Sequence, residues 1–160
     1  MTGNHNPYCP QPDSTVGLKP STEPVLFTLL LPDQISGLQV EIEEHKWINL
    51  VAHPGTLVLN VGEVLQIISN GQYRSAEHRV LAESLGEPGI LVAVFSNPAK
   101  TAEPYGPLPE LESLDEAAHY HDFDFFELQQ QIKIEVGAES LINNHSIDQN
   151  WKRNWNPLGI

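Results

Sequence analysis

Residues 54–83 read PGTLVLNVGEVLQIISNGQYRSAEHRVLAE, and the hydrophobic period changes twice within them. Residues 56–61 are rich in β-branched and apolar side chains, which predicts a central strand. Residues 63–70 follow the helical period, and residues 73–82 return to a strand pattern. The stretch therefore predicts a strand, one short helix and a second strand.

The predicted helix has one apolar face, formed by Val64, Leu65, Ile67 and Ile68. Asn70-Gly71 follows it directly. This dipeptide is typical of a hairpin turn, but after a helical pattern it is better explained as a helix C-cap.

Four further segments have strand patterns, namely residues 25–31, 37–43, 47–52 and 89–95. In the second of these, Leu38, Val40 and Ile42 alternate with polar residues, as in a half-buried strand. Six strands and one short helix are thus predicted in residues 24–96. Short turns without regular helical crossovers favour an antiparallel sandwich or barrel. The Pro/Asn-rich residues 1–20 are interpreted as an extended arm.

From Leu114 onward the signals are helical, and Ser113 with Glu116 matches a capping box. The apolar stripe of this second helix is predicted to consist of Phe123, Phe126, Leu128 and Ile132. Beyond Ser140 the chain is rich in asparagine. It is expected to be an irregular tail, docked through Trp151 and Trp155.

The chain has 160 residues, which indicates one domain, and a net charge of −13. Such a charge is repelled by phosphate groups and argues against a nucleic-acid or anionic-membrane partner. Residues 103–127 hold eight acidic residues and no Lys or Arg, as in a solvated acidic face. With Cys9 as the only cysteine and no signal peptide visible, a cytoplasmic location is expected.

Two histidine patterns are candidates for chemistry. His119-x-His121 has the spacing of a metal-binding pair, but its acidic, helix-prone setting favours a solvated surface pair. His78 lies within a predicted strand, where an inward side chain needs a hydrogen-bond partner or a metal. On its own, such a residue is more often a hydrogen-bonded core histidine.

Four segments occur in a familiar order and spacing: CPQPDSTVGLKPSTEP, FTLLLPDQISGLQV, the stretch at residues 54–83, and FSNP. They resemble the C-terminal catalytic half of the plant iron(II)- and 2-oxoglutarate-dependent dioxygenases, the group of flavonoid dioxygenases and isopenicillin N synthase. The resemblance covers about residues 4–127. It implies a mainly β fold with a double-stranded β-helix core, a cupin-like jelly roll, and C-terminal helices.

A jelly roll has eight strands, and only six are predicted. Either the other two lie in residues 1–20 and 97–110, or the core is incomplete and has an open edge. Family members carry a long N-terminal helical region, whereas Met1 stands almost at the start of the core. A truncated gene product is therefore expected.

The resemblance implies Fe(II) as a cofactor, held by a His-x-Asp pair and a distant His. The distant His corresponds to His78, and the carboxylate corresponds to Glu23, one methylene longer. The first-His position is Ser21, a neutral hydroxyl and a weak iron ligand. The metal ligands expected from the resemblance are therefore Glu23 and His78 alone.

The resemblance also implies 2-oxoglutarate as co-substrate, held by an Arg-x-Ser pair. These positions are Gly89 and Leu91, which offer neither a cation nor a hydroxyl. The family's Asn-Tyr-Tyr-Pro-Pro-Cys-Pro stretch corresponds to Asn4-His5-Asn6-Pro7-Tyr8-Cys9-Pro10, without its two adjacent tyrosines. No cofactor-binding residue is carried over.

Three hypotheses of function remain open: an oxygenase, a non-catalytic relic of the family, and a cupin-like binding module. The resemblance implies oxidation of a small-molecule metabolite, with a small-molecule substrate and no nucleic-acid or membrane partner. The alternative is a truncated, non-catalytic relic with at most a binding role. The expected organisation is a dioxygenase-like domain at 1–127, with its core at about 17–98, and a helix with an irregular tail at 128–160.

Overall fold

The computed structural model describes residues 1–32, 37–43, 45–51, 53–82, 89–99, 103–111, 117–124, 126–128, 130 and 145–147. Strands dominate these residues. In chain order they are β1 (Thr2–Asn6), β2 (Val16–Ser21), β3 (Phe27–Pro32), β4 (Leu38–Glu43), β5 (Lys46–Asn49), β6 (Val58–Val61), β7 (His78–Leu81) and β8 (Gly89–Ser96). One helix, α1 (Glu63–Ile68), lies between β6 and β7. Short 3₁₀ turns occupy Pro12–Ser14 and Pro109–Leu111.

The strands form two four-stranded sheets, in the orders β1-β8-β3-β6 and β2-β7-β4-β5. The pairs β1–β8, β3–β8, β2–β7, β4–β7 and β4–β5 are all antiparallel. Eight strands in two antiparallel sheets are the arrangement of a jelly roll. The mainly β jelly-roll class expected from the sequence is confirmed.

Three local expectations were wrong. Residues 1–20 are more than an extended arm, because they contain β1 and most of β2. The two missing strands thus lie in one of the two ranges expected for them, and the described part of residues 97–110 contains no strand of either sheet. The strand β6 stands at the end of its sheet order instead of at the centre. The strand predicted at residues 73–82 begins only at His78, because the backbone amide of Ser75 is bound by the side-chain oxygen of Gln66 at 2.7 Å.

The described residues divide into two compact units. The first contains residues 1–22, 27–60 and the described part of 76–96. The second contains residues 23–26, 61–75 and the described part of 97–160. The domain boundary expected between residues 127 and 128 stays a prediction.

The core of the first unit lies between its two sheets. Its buried residues are Leu30, Leu38, Val80 and Ala93, with Leu50, Val58 and Leu91 packed against them. Cross-strand registers explain the set, because Leu30 pairs with Ala93 in one sheet and Leu38 pairs with Val80 in the other. Paired residues share a face, so each sheet contributes one apolar pair to the same interior.

In the second unit, the C-terminus of α1 has the predicted cap. Asn70 and Gly71 both have positive φ, at 50° and 85°, and the Gly71 amide donates to the Gln66 carbonyl at 2.8 Å. The Asn70 side chain also donates to the Ala117 carbonyl and accepts from the His119 amide. Asparagine suits this position because it tolerates left-handed backbone and offers both a donor and an acceptor.

The core of the second unit consists of Val64, Ile67, Tyr120, Phe123 and Leu128. The expected helical stripe is only partly correct. Leu128 is buried, but Phe126 is 68% exposed, and Phe123 forms an isolated β-bridge with Tyr105 in place of a helical turn. Within this acidic stretch every described carboxylate is exposed, as expected, namely Glu103, Glu110, Asp122, Asp124 and Glu127.

Other expectations for the C-terminal part fall outside the described residues. These are the capping box at Ser113 and Glu116, the stripe residue Ile132, and the tail tryptophans Trp151 and Trp155.

The core of the first unit predicts a contrast between two adjacent leucines. Leu30 is 5% exposed and Leu31 is 48% exposed. Replacing Leu30→Ala should lower the free energy of unfolding by about 2–5 kcal/mol, because it removes packed side-chain volume. Leu31→Ala should change it by about 0.5 kcal/mol or less. Urea denaturation of both variants measures this contrast, and equal losses would contradict the burial of Leu30.

The core of the second unit predicts a loss of stability in alkali. Burial raises the pKa of Tyr120 to about 12, against the opposing effects of the Gln66 hydrogen bond and of Arg74. The folded state thus favours the neutral phenol, and this contribution is complete below pH 10. Between about pH 10 and 12 the phenol of Tyr120 ionises in the unfolded state but stays neutral in the folded state. The free energy of unfolding should therefore fall by roughly 2–3 kcal/mol over this range.

Tyr120→Phe should remove this component of the pH dependence, as measured by denaturation at a series of pH values. Tyr73→Phe is the matched control, because Tyr73 is 60% exposed. If the control flattens the profile as much as Tyr120→Phe does, the loss of stability does not arise at Tyr120.

Candidate functional site

The site is organised by the strand β7, which places His78 inside the first unit. His78 is 5% exposed and pairs with Ser21 of β2 on one side and with Val40 of β4 on the other. Val40 in turn pairs with Ile48 of β5. Since cross-strand partners share a face, these residues form one row across the sheet.

Ser21 and His78 are therefore brought together as the family resemblance requires. Ser21 is the last residue of β2, which lies at the end of its sheet order, and its side chain is exposed. An irregularity in the β2–β7 register lies between Leu18 and Ser21. It advances β2 by one residue and so sets Ser21 opposite His78.

A third residue of this site, Asn60 of β6, was missed by the sequence analysis. Its amide nitrogen lies 3.3 Å from Nδ1 of His78. A buried imidazole requires such a partner, because an unpaired polar group in a protein interior is costly. The signal was present in the sequence, since Asn60 is a polar residue within the otherwise apolar run Leu57-Val58-Leu59-Asn60-Val61.

Glu23, the other expected metal ligand, belongs to the second compact unit. It is half-buried, and its backbone carbonyl accepts hydrogen bonds from the amides of Val25 and Glu63, each at 2.9 Å. These bonds join the segment after β2 to the first residue of α1.

The two positions expected to hold the co-substrate, Gly89 and Leu91, lie on β8 next to β1. Gly89 pairs with Asn6 and Leu91 pairs with Asn4, which brings the start of β8 against β1. Gly89 is buried, and Leu91 packs against the core of the first unit. Two segments distant in sequence are thus adjacent, but neither Gly89 nor Leu91 can pair with a carboxylate.

The pair His119 and His121 takes part in a backbone ladder. The His121 amide donates to the His145 carbonyl at 2.7 Å, and the Ile147 amide donates to the His119 carbonyl at 2.8 Å. The ring of His145 lies 5.5 Å from the ring of Phe123. Across the described part of the chain, no group of three or more His, Cys, Asp or Glu side chains is arranged to hold a metal ion.

The residues present do not fit Fe(II) and 2-oxoglutarate. A facial iron site needs two imidazoles and one carboxylate, and a hydroxyl stands beside His78 where an imidazole is needed. A dicarboxylate co-substrate needs a cation, and the corresponding strand positions are Gly89 and Leu91. The strand pairs place Ser21 beside His78 and Gly89 beside Asn6, and neither serine nor glycine supplies an imidazole or a guanidinium.

Comparisons with known proteins agree with this scaffold. The family model of the 2OG-Fe(II) oxygenase superfamily matches residues 1–98. The chain is 44% identical over 124 residues to 1-aminocyclopropane-1-carboxylate oxidase homolog 4 of Arabidopsis thaliana, covering 76% of this chain and 35% of that protein. It is 40% identical over 122 residues to scopoletin 8-hydroxylase of the same plant, covering 76% and 34%.

Among solved structures, the fold is similar to the crystal structure of JOX2 in complex with 2OG, Fe and JA. The TM-score is 0.80 at 33% identity, and the match covers 91% of this chain and 43% of that chain. The chain belongs to the 2OG-Fe(II) oxygenase superfamily. It spans about a third of the length of the curated relatives named above, and no helix in the described residues is long and apolar enough to cross a membrane.

Proposed function

We propose that this chain is a non-catalytic relic of the oxygenase superfamily, with at most a role in binding a small molecule. One observation carries the proposal. Ser21 is paired with His78, and Gly89 with Asn6; serine and glycine thus occupy the positions at which the family pattern has an imidazole and a guanidinium. A scaffold with these replacements lacks the groups on which the reaction depends.

Iron is the first requirement that the chain fails. His78 and Glu23 are the ligands that remain from the family pattern, and Ser21 offers a neutral hydroxyl. Two protein ligands hold Fe(II) weakly, because the facial site derives its affinity from three donors on one side of the ion. We expect no tight iron binding in the unmodified chain.

The co-substrate is the second requirement. A guanidinium binds a carboxylate through two parallel hydrogen bonds, which neither glycine nor leucine can replace. The Leu91 side chain instead contributes to the core of the first unit. Even with iron restored, 2-oxoglutarate would lack its anchor.

The alternative function is Fe(II)- and 2-oxoglutarate-dependent oxidation of a small-molecule metabolite. Family membership favours it, and relatives such as scopoletin 8-hydroxylase are named for such a reaction. The net charge of −13 supports the absence of a nucleic-acid partner under either function. A cytoplasmic location is part of the proposal.

The proposal predicts that one substitution restores iron binding. Ser21→His adds an imidazole directly beside His78 and two residues before Glu23. Fe(II) affinity should rise by at least about tenfold, equivalent to roughly 1.4 kcal/mol. Anaerobic titration with Fe(II) measures the change. Ser14→His is the matched control, because it places a histidine at an exposed position outside the site and should leave the affinity unchanged.

Turnover should require the co-substrate groups as well. We expect no succinate from the unmodified chain or from Ser21→His when each is supplied with Fe(II) and 2-oxoglutarate. Adding Gly89→Arg and Leu91→Ser to Ser21→His should give the first measurable 2-oxoglutarate binding and succinate release. The double variant Gly89→Arg/Leu91→Ser, which lacks the imidazole, is the control and should release none.

Succinate from the unmodified chain would contradict the proposal and favour the alternative function. It would mean that another histidine, such as His53 or His5, completes the iron site.

A further inference from the structure

The two sheets of the first unit differ in the charge of their strands. The strands β1, β8, β3 and β6 contain no Asp, Glu, Lys or Arg, although the chain has 21 acidic and 8 basic residues. The strands of the other sheet carry five charged residues, namely Lys19, Glu41, Glu43, Lys46 and Arg79. The sheet formed by β1, β8, β3 and β6 is called the uncharged sheet below.

The outer face of the uncharged sheet is apolar as well. Leu30 and Ala93 are paired and point into the core of the first unit. Because side chains alternate along a strand, the residues on either side of them point outward. Five outward residues of the central strands β3 and β8 are apolar, namely Leu29, Leu31, Ile90, Val92 and Val94. Leu31 is 48% exposed and Ile90 is 57% exposed.

This pattern is unusual for an antiparallel sheet with one face in water. Such a sheet normally alternates apolar and polar residues, whereas near-continuous apolar runs are typical of strands that are covered on both faces. In the other sheet, β4 has the alternating pattern and turns Gln39 and Glu41 away from the buried Leu38. The uncharged sheet lacks this alternation, and a contiguous exposed apolar surface marks an interaction site.

We propose that the outer face of the uncharged sheet binds the same face of a second copy of this chain and forms a two-fold symmetric dimer. Charge is the first reason. Partners of a different kind are commonly selected by complementary charge, and the four strands of this sheet offer none. Each copy carries a net charge of −13, and two uncharged faces can meet without opposing carboxylates. In a two-fold contact the same patch lies on both sides, so an apolar face meets an apolar face.

The size of the face is the second reason, and it indicates a weak dimer. Four strands about 4.8 Å apart, each with about six residues rising about 3.3 Å, cover a planar area of roughly 400 Å². Two such faces give about 800 Å² as a lower bound, within the range of transient complexes below about 1,200 Å². We therefore expect a dissociation constant on the order of 10–100 µM. The dimer does not depend on whether the chain binds iron, so it goes beyond the proposed function.

Sedimentation velocity of the full-length chain tests the dimer. The sedimentation coefficient should rise from the monomer value to the dimer value as the concentration passes through the range on the order of 10–100 µM. Added NaCl should strengthen the association several-fold, because salt screens the repulsion between two copies of charge −13. A monomer at every concentration would overturn the proposal and leave this face to a different protein.

Two substitutions of opposite charge identify the face. Leu31→Glu and Leu31→Lys each place a charge on a central strand, where the second copy would bury it without a partner. Both should weaken the association at least about tenfold, because an unpaired buried charge is costly. If net charge alone governed the association, Leu31→Lys would strengthen it instead, and that result would overturn the proposal.

Leu81→Glu and Leu81→Lys are the matched controls. Leu81 is 42% exposed, but it lies on β7 of the other sheet. Each control should change the dissociation constant by about twofold or less, since it alters only the long-range repulsion between the copies. Urea denaturation of each variant checks that it is folded. A dimer that persists in folded Leu31→Glu and Leu31→Lys would overturn the proposal.

Hydroxyl-radical footprinting of the unmodified chain locates the contact without any substitution. Oxidation of Leu31 and Ile90 should fall several-fold between monomer and dimer concentrations, while oxidation of Leu81 stays constant. Unchanged oxidation of Leu31 and Ile90 in the dimer would overturn the proposal. Open-ended aggregates would do so as well, because a two-fold contact closes after two copies. The succinate assay tests the proposed function separately, because self-association does not enter it.

Discussion

The register of β7 is the constraint on which the first unit depends. Side chains alternate along a strand, so a shift of one residue would move every side chain to the other face. With β4 and β2 as its neighbours, β7 turns His78 and Val80 inward. Arg79 then lies on the outer face, 4.2 Å above the ring of Trp47, and its Nε donates to Gln39 at 2.7 Å.

Each inward residue of β7 then requires a particular environment. Val80 closes the apolar interior with Leu30, Leu38 and Ala93. His78 cannot be buried in that way and is paired with Asn60. Asn60 in the apolar strand β6 and His78 in β7 are therefore best explained together, since each is the hydrogen-bond partner that the other needs in the interior.

The second unit is held by side-chain amides as well as by apolar packing. Gln66 donates to the Tyr120 hydroxyl at 2.8 Å and accepts from the Ser75 amide, and Asn70 joins Ala117 and His119. Gln66 lies in α1 and Asn70 two residues after its end, and the helix has only six residues. So short a helix is unstable alone, and its stability derives from these tertiary contacts.

The scaffold and the chemical groups of this chain obey separate physical requirements. Close packing requires apolar side chains of the right size at positions such as Leu30 and Val80, so a substitution there changes the free energy of unfolding. An exposed strand end such as Ser21 carries no such demand. The packing of the first unit therefore does not depend on whether serine or histidine stands at position 21.

The sequence by itself determined the family, the mainly β class, the short helix with its Asn70-Gly71 cap, and the burial of His78 on a strand. These features follow from local periodicity, from local backbone preference and from the order of the motifs, all of which can be recognised in the sequence alone. The sequence left open whether the two missing strands lie in residues 1–20 and 97–110 or are absent. Tertiary structure decided that both begin within residues 1–20, because their pairing partners β8 and β7 lie far away in sequence. It also decided that Asn60 meets His78 and that Phe123 bridges to Tyr105, since such contacts depend on strand pairing over distances that no local pattern encodes.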